Sequence, residues 1–359
     1  MKGQLLSGCR WLAFVVVFMV ASCSKSDPDT ISGHEPFQQA NLKLALALEE
    51  ESQCLPQYFD EHILDSPCES TAFGLVIESY LKSFLDDAVF YDDDNQFDFN
   101  IVDRFSSLNR QYITHYRGEV YFGKNGQFTS EVQKTSRKLD RFWPANREIV
   151  INAQHVQDLS DRETLADMIE SFDKDVPNRE ESYRRADLLL NLSSRSEVLP
   201  ESPYFAMAAF SRNNGLIVLG DGVVETFISM GLDGKLAYNA LLSHEWWHQV
   251  QYEQNWKNIT DFSSASEFSK YRELQADFAS AYFLTHKRGV AYNWKKIESF
   301  FEISYNTGDC FVQSPTHHGT PEERREAAKL GYQLASSAQR KGEIMSIEAL
   351  NTIFEDFYY

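Results

Sequence analysis

The sequence predicts an α+β fold that is mainly helical and contains a small β-sheet. Apolar residues recur at helical spacing from Leu42 to Leu48 and again from Phe73 to Phe90. A run of β-branched residues at Ile149–Ile151 is typical of a strand instead. The Asn214-Gly215 pair lies between two further apolar runs and indicates a hairpin turn. We therefore expect long helices with a few short strands.

The first 22 residues have the pattern of a signal peptide. They contain Lys2 and Arg10, no acidic residue, and an apolar run that is too short for a comfortable membrane span. The segment Val20-Ala21-Ser22-Cys23 resembles the lipobox of bacterial lipoproteins, which implies cleavage before Cys23 and acylation of that residue. An ordinary secretory signal with an incidental cysteine remains the alternative.

This resemblance implies a lipid-anchored protein of the bacterial cell envelope. Ser24, directly after the acylated cysteine, resembles the residue found in lipoproteins of the outer membrane, on its periplasmic or surface face. Residues 23–40, rich in Ser, Asp, Pro and Gly, predict a flexible tether.

The charge of the chain disfavours nucleic acid as a partner. There are 34 basic and 53 acidic residues, for a net charge of −19. Binding to phosphates needs a cluster of positive charge, and the sequence contains no such cluster.

Three cysteines of the mature chain remain once Cys23 is assigned to lipid. Cys54 and Cys68 are close enough in sequence to close a short loop in an oxidising compartment, which would leave Cys310 unpaired. Pairing of Cys310 with either of the others stays open.

The pattern divides the mature chain near residue 147. Residues 41–147 predict a helical accessory region, and residues 148–359 predict the domain that carries the chemistry. Ser160 and Glu163 have the spacing of a capping box that opens a helix from Thr164 to Phe172. The predicted hairpin could present an edge strand to an extended peptide, or it could be purely structural.

The strongest chemical signal is His244-Glu245-Trp246-Trp247-His248. On a helix, this spacing places the two histidines on one face, four residues apart, which suits zinc. Glu273 is the candidate for the third ligand. Asp277, one turn further along the same face, could orient a ligand histidine. Glu245 would be the general base that acts on metal-bound water.

Two helices carry these groups. The first should run from Lys235 to about Gln254, with Trp246 and Trp247 packed in the core. The second should begin at Ser264 and end near His286, which we interpret as a residue of the helix end rather than a ligand.

A third block lies at Pro315–Arg324. Thr320 as the cap, Pro321 as the first helical residue and Glu323 predict a helix start. His318 then precedes a positive helix end, which favours a neutral imidazole able to bind a substrate carbonyl or a developing oxyanion. The alternative is a histidine that only satisfies loop backbone groups.

Together, the HExxH block, Glu273-Leu274-Gln275-Ala276-Asp277 and His318-Gly319-Thr320 resemble the bacterial neutral zinc metallopeptidase family. The resemblance covers roughly residues 205–332. It implies a zincin-like fold in which zinc is bound by His244, His248 and Glu273, with Glu245 catalytic and His318 near the site.

The chain also departs from that family. Trp246 and Trp247 stand where small or aliphatic residues are expected, and Gln249 stands where a further histidine often occurs. These differences put the substrate in doubt.

We therefore expect a zinc-dependent metallopeptidase that hydrolyses peptide bonds of a peptide or protein substrate through a metal-activated water. One alternative is an envelope binding or scaffold lipoprotein whose zinc is structural or vestigial. Hydrolysis of a non-protein amide, such as a cell-wall peptide link, shares the same chemistry and differs only in substrate.

Overall fold

The computed structural model describes residues 69–92, 96–338 and 342–359. This part of the chain is mostly helical and contains a three-stranded sheet, which confirms the predicted α+β class. The predicted signal peptide, the tether, Cys23, Cys54 and Cys68 lie outside the described residues. None of the helices formed by the described residues is long and apolar enough to cross a membrane.

The described part of the accessory region is helical, as predicted. Its helices are α1 (Ala72–Leu85), α2 (Phe99–His115) and α3 (Thr129–Phe142). Phe73 of α1 and Val132 of α3 are buried in the same hydrophobic core as Trp247 of the predicted catalytic domain. Side chains from both sides of residue 147 therefore share one core.

The sheet has the strand order β1-β3-β2, with β1 at Val150–Gln154, β2 at Ala209–Ser211 and β3 at Leu216–Gly220. β3 pairs in parallel with β1 and antiparallel with β2, so β2 is an edge strand. The predicted hairpin is confirmed. Gly215 adopts a φ of +90°, and a Cβ there would lie 2.3 Å from the Glu148 carbonyl oxygen, so only glycine suits the turn.

Three shorter helices belong to the same part of the chain: α4 (Arg162–Phe172), α5 (Arg179–Ser193) and α6 (Asp221–Ser229). The predicted start of α4 is wrong, because the N-cap lies one residue later than Ser160. Asp161, not Ser160, is the N-cap, because its carboxylate accepts hydrogen bonds from both the backbone N and the Oγ1 of Thr164. The helix consequently begins before Thr164.

The two long helices of the predicted site are α7 (Gly234–Gln254) and α8 (Ala265–Thr285). Asp233 caps α7 and Ser264 caps α8, each by accepting from a backbone N in the first turn. Trp246 and Trp247 are 2% and 0% exposed, which confirms that they belong to the core.

The remaining helices are α9 (Trp294–Asn306), α10 (Pro321–Ala338) and α11 (Ile347–Tyr358). The capping box of α10 is confirmed, since Thr320 and Glu323 hydrogen-bond each other's backbone N. α10 lies very close to α8. A Cβ at Gly331 would be 2.0 Å from the Phe278 carbonyl oxygen.

Cys310 forms a disulfide bond, and its partner lies outside the described residues. The expectation of an unpaired Cys310 is therefore wrong. Short sequence separation favoured a local bridge, but the fold places the Cys310 sulfur 3.7 Å from the Glu69 carbonyl oxygen, near the start of the described chain.

Candidate metal centre

Helix α7 presents two imidazoles to one point. His244 and His248 are one turn apart, with ring centroids separated by 4.8 Å and planes nearly perpendicular. Their Nε2 atoms are 3.2 Å apart. Both residues are buried. The two histidines therefore lie on one face of the helix, as predicted, and their Nε2 atoms converge.

Helix α8 adds a carboxylate to the same point. Glu273 places Oε2 at 3.1 Å from the Nε2 of His244 and Oε1 at 3.2 Å from the Nε2 of His248. The three side chains form a group that could hold a metal ion. The structure therefore brings together the three residues that the sequence suggested as ligands.

Each imidazole is oriented by a second side chain. The Nδ1 of His244 lies 3.0 Å from Asp277 Oδ1, and the Nδ1 of His248 lies 2.7 Å from Gln251 Oε1. Because a carboxylate and an amide oxygen accept hydrogen bonds, both Nδ1 atoms carry the proton. Once deprotonated, the two Nε2 atoms are lone-pair donors that a metal ion could bind.

Asp277 was predicted in this role from its position one turn after Glu273, whereas the role of Gln251 was missed. Gln251 lies three residues after His248 on the same face of α7. That spacing was the available signal.

A chain of buried amides extends from Gln251. Its Nε2 donates to Gln275 Oε1 at 2.9 Å, and Gln275 Nε2 donates to Asn351 Oδ1 of α11 at 2.7 Å. Trp247 Nε1 also donates to Gln275, at 3.1 Å. The support for His248 therefore reaches three helices.

Arg324 is a buried residue of the site whose role the sequence did not indicate. Its Nε and Nη2 donate to the two carboxylate oxygens of Asp277 at 2.7 and 3.0 Å, and its Nη1 donates to the Thr307 carbonyl oxygen at 3.1 Å. The Nη2 atom is also 3.7 Å from Glu273 Oε2.

The electrostatics of the site favour a positive charge. Burial opposes protonation of His244, yet the hydrogen bonds that it donates to the carboxylates of Asp277 and Glu273 raise its pKa to about 10. Burial would raise the pKa of Glu273, but the two imidazoles hold that pKa well below its usual range. Carboxylates that favour a cation in this way also suit a metal ion.

Glu245 lies beside the ligand group. It is 2% exposed, and its Oε2 has no hydrogen-bond partner among the described residues. Burial raises the pKa of its carboxyl. Such an orphaned carboxylate oxygen is costly unless a bound species completes the site.

His318 lines the same cavity as His244, Glu245 and Glu273. Its backbone N donates to Asp309 Oδ2 at 2.7 Å, and its Nδ1 lies 3.1 Å from the same oxygen. Its neighbour His317 places Nδ1 at 2.6 Å from the other oxygen of Asp309.

The environment of His318 differs from the expected one. The sequence indicated only the helix end near the ring, whereas the structure adds the Asp309 carboxylate as its hydrogen-bond partner. Burial would raise the pKa of Asp309, and the two histidines instead hold it below its usual range. With Nδ1 bound to Asp309, Nε2 donates a hydrogen bond only when His318 is doubly protonated.

The cavity has a volume of about 40 Å³. That space exceeds the roughly 10–15 Å³ that one water needs. Apolar side chains of β2, α7 and α9 form one part of the wall: Ala209, Ala240, Leu241, Phe300 and Ile303. The other lining residues are polar, and polar groups that converge on a partly apolar cavity are typical of a ligand site.

Comparisons with protein-family models, with curated proteins and with solved structures find no match to this chain.

His286 takes a different place from the ligands, as expected. It forms the C-cap of α8, and its Nε2 bonds the Glu343 carbonyl oxygen at 3.1 Å. Gln249 also has a structural place, because its Nε2 donates to the carbonyl oxygens of Arg212 and Leu216 in the hairpin, both at 3.0 Å.

Proposed function

We propose that this chain is a zinc-dependent metallopeptidase with a zincin-like fold, in which Glu245 is the general base. The observation that carries the proposal is the convergence of His244, His248 and Glu273 beside the unpartnered Oε2 of Glu245. The three sequence blocks that resemble the neutral zinc metallopeptidase family agree with it.

The spacing of the donors fits zinc. Tetrahedral zinc with bonds of about 2.0–2.1 Å sets neighbouring ligand atoms about 3.3 Å apart. The distances between the Nε2 atoms and the Glu273 oxygens are 3.1 and 3.2 Å. Two imidazoles and one carboxylate are also the ligand set of many zinc peptidases, and they leave a position open.

The buried charges fit a divalent cation. Glu245, Glu273 and Asp277 supply three carboxylates, and among the described residues Arg324 supplies a guanidinium that pairs with Asp277 and lies 3.7 Å from Glu273. A cation with two positive charges would balance this group. Isolated charge in such a buried place would otherwise be costly.

Bound zinc would supply Lewis-acid polarisation of a peptide carbonyl and lower the pKa of a water to about 7. Glu245 accepts the proton of the attacking water and returns it to the leaving amine. In its doubly protonated form, His318 would donate from Nε2 to the oxygen on which negative charge develops.

The edge strand β2 supports binding of an extended peptide. In an antiparallel pair, alternate residues direct their backbone N–H and C=O groups away from the partner strand. Ala208 and Arg212 bond β3, so Ala209 directs its groups to the open edge. Ala209 also lines the cavity, which places this edge beside the ligands.

The test compares zinc content and casein hydrolysis for the full chain, Glu245→Gln and Glu298→Gln. Glu298 is an exposed glutamate of α9 and serves as the matched control. We expect about one zinc in each protein, and a loss of cleavage by about 100- to 10,000-fold only in Glu245→Gln.

Other outcomes separate the alternatives. Zinc in all three proteins with no cleavage of casein or of cell-wall peptides would favour the non-catalytic envelope lipoprotein. Cleavage of cell-wall peptides alone would assign the non-protein amide as the substrate. Absence of zinc from all three would overturn the proposal.

We also infer, from the lipobox resemblance, that the protein is attached to the bacterial envelope through lipid on Cys23.

A further inference from the structure

Arg324 is the fourth residue of α10 and is 4% exposed. It forms no hydrogen bond with the proposed metal ligands: its Nη2 comes no closer than 3.7 Å to a carboxylate oxygen of Glu273. Its short contacts are two hydrogen bonds to Asp277 and one to Thr307. It is therefore placed to act on the site through Asp277.

The paired contact fixes the Asp277 carboxylate in one plane. Two parallel N–H bonds from a guanidinium define both position and orientation, which one bond from an ammonium group cannot do. The Nη1 bond to the Thr307 carbonyl oxygen anchors the other side of the guanidinium at the end of α9. Hydrogen bonds therefore fix the Arg324 guanidinium on two sides, at Thr307 and at Asp277.

Asp277 in turn sets the orientation of His244. Its Oδ1, which accepts from Arg324 at 3.0 Å, also lies 3.0 Å from His244 Nδ1. This bond points the opposite ring nitrogen at Glu273 and His248. Such outer contacts of ligand histidines typically change metal affinity by about 10- to 100-fold when they are removed.

We propose that Arg324 is a positioning residue for the metal centre: it holds the Asp277 carboxylate so that Asp277 orients His244 for metal binding. This inference rests on the metal site of the proposed function, but it is independent of hydrolysis. It assigns the segment from His318 to Arg324 two tasks, since the same stretch supplies one side chain to the cavity wall and another to the support of a ligand.

The test is a double-mutant cycle in zinc affinity. The full chain is stripped with a chelator, and the Kd for Zn²⁺ alone is measured by competition with a chromophoric chelator. The variants are Arg324→Met, Asp277→Asn and the double variant. Arg325→Met is the matched control, because Arg325 is the next residue of α10 and lies over the Tyr305 ring instead.

We expect Arg324→Met and Asp277→Asn each to weaken Zn²⁺ binding by about 10- to 100-fold. The double variant should bind no more weakly than the weaker single variant, because both changes remove the same connection. Arg325→Met should bind as the unaltered protein does.

Two results would overturn the inference while leaving the metal site intact. One is unaltered Zn²⁺ affinity in Arg324→Met. The other is a double variant whose loss is the product of the two single losses, which would mean that Arg324 acts independently of Asp277. If the unaltered protein bound no Zn²⁺, the proposed function itself would fail.

Removal of the buried guanidinium could prevent folding, so Arg324→Lys is measured beside it. Lysine keeps the positive charge but cannot make the two-oxygen contact. We expect weaker Zn²⁺ binding in this folded variant, and an affinity equal to that of the unaltered protein would contradict the positioning role.

Discussion

At the scale of the residue, the Asp309 carboxylate fixes the position of the His318 ring. One carboxylate oxygen binds the backbone N and the ring of His318, and the other binds the ring of His317. Both rings are therefore fixed by the same anion, but only His318 lines the cavity beside Glu245. We therefore propose the oxyanion role for His318 and not for His317.

We predict that His318→Ala lowers kcat by about 100- to 1,000-fold, the usual loss when one oxyanion donor is removed. Zinc content should not change, because His318 is not one of the converging donors. Steady-state kinetics and metal analysis would check this. His317→Ala is the control and should retain most of the activity; equal losses in both variants would indicate a structural role for the pair.

The sequence predicted those site residues whose spacing matches the period of a helix. His244 and His248 could be placed on one face of α7 because they are four residues apart. Asp277 could be placed on the same face of α8 as Glu273 for the same reason. Arg324 could not be placed, since its contact with Asp277 joins two helices across 47 positions of sequence. The role of Asp309 depends on how the loop before α10 folds back, which no periodic pattern encodes.

At the scale of the element, the close approach of α8 and α10 holds the site together. α8 carries Glu273 and Asp277, and α10 carries Arg324. The helices approach at Gly331, where the missing side chain leaves room for the Phe278 carbonyl group. The distance between the helices therefore depends on one glycine.

We predict that Gly331→Ala destabilises the protein by about 1–3 kcal/mol, because the added methyl group would overlap backbone atoms of α8. Thermal or urea unfolding would measure the change. Gly74→Ala in α1 is the matched control. Its Cβ would lie 3.5 Å from its nearest neighbour, so we expect a neutral effect or a gain of about 0.5–1 kcal/mol. Unchanged stability in Gly331→Ala would show that the helices can separate without cost.

Two helix starts were predicted correctly, since Ser264 and Thr320 are the caps of α8 and α10. The start of α4 was predicted from Ser160, which lies next to Asp161. Asp161 is the cap because its carboxylate satisfies two donors of Thr164 at once.

At the scale of the whole molecule, the sequence did not determine how the accessory region joins the rest. Helical spacing showed that Phe73 would face a core, but it could not identify that core. In the structure, the Phe73 ring lies 4.8 Å from the ring of Phe227, on the far side of the predicted boundary. Contacts of this kind depend on the tertiary arrangement and leave no local pattern.

We predict that Cys23→Ser prevents lipid attachment, because the thiol is the group that would be acylated. Growth of expressing bacteria with labelled palmitate, followed by fractionation, would measure it. The unaltered chain should carry label and sediment with membranes, and the variant should do neither. Cys9→Ser is the control and should behave as the unaltered chain; equal labelling of Cys23→Ser would refute the lipoprotein assignment.

The chain of amides from His248 through Gln251 and Gln275 to Asn351 has a consequence for biosynthesis. A ribosome adds about 5–20 residues per second, so the segment that ends with Asn351 follows His248 only after about 5–20 s. Glu273 is added 25 residues after His248, and the three proposed donors then exist without Arg324 for a further 51 residues and without Asn351 for a further 78. The emerging chain therefore has the three proposed metal donors, together with Gln251 and Asp277, before it has Asn351 and Arg324, which support those two side chains.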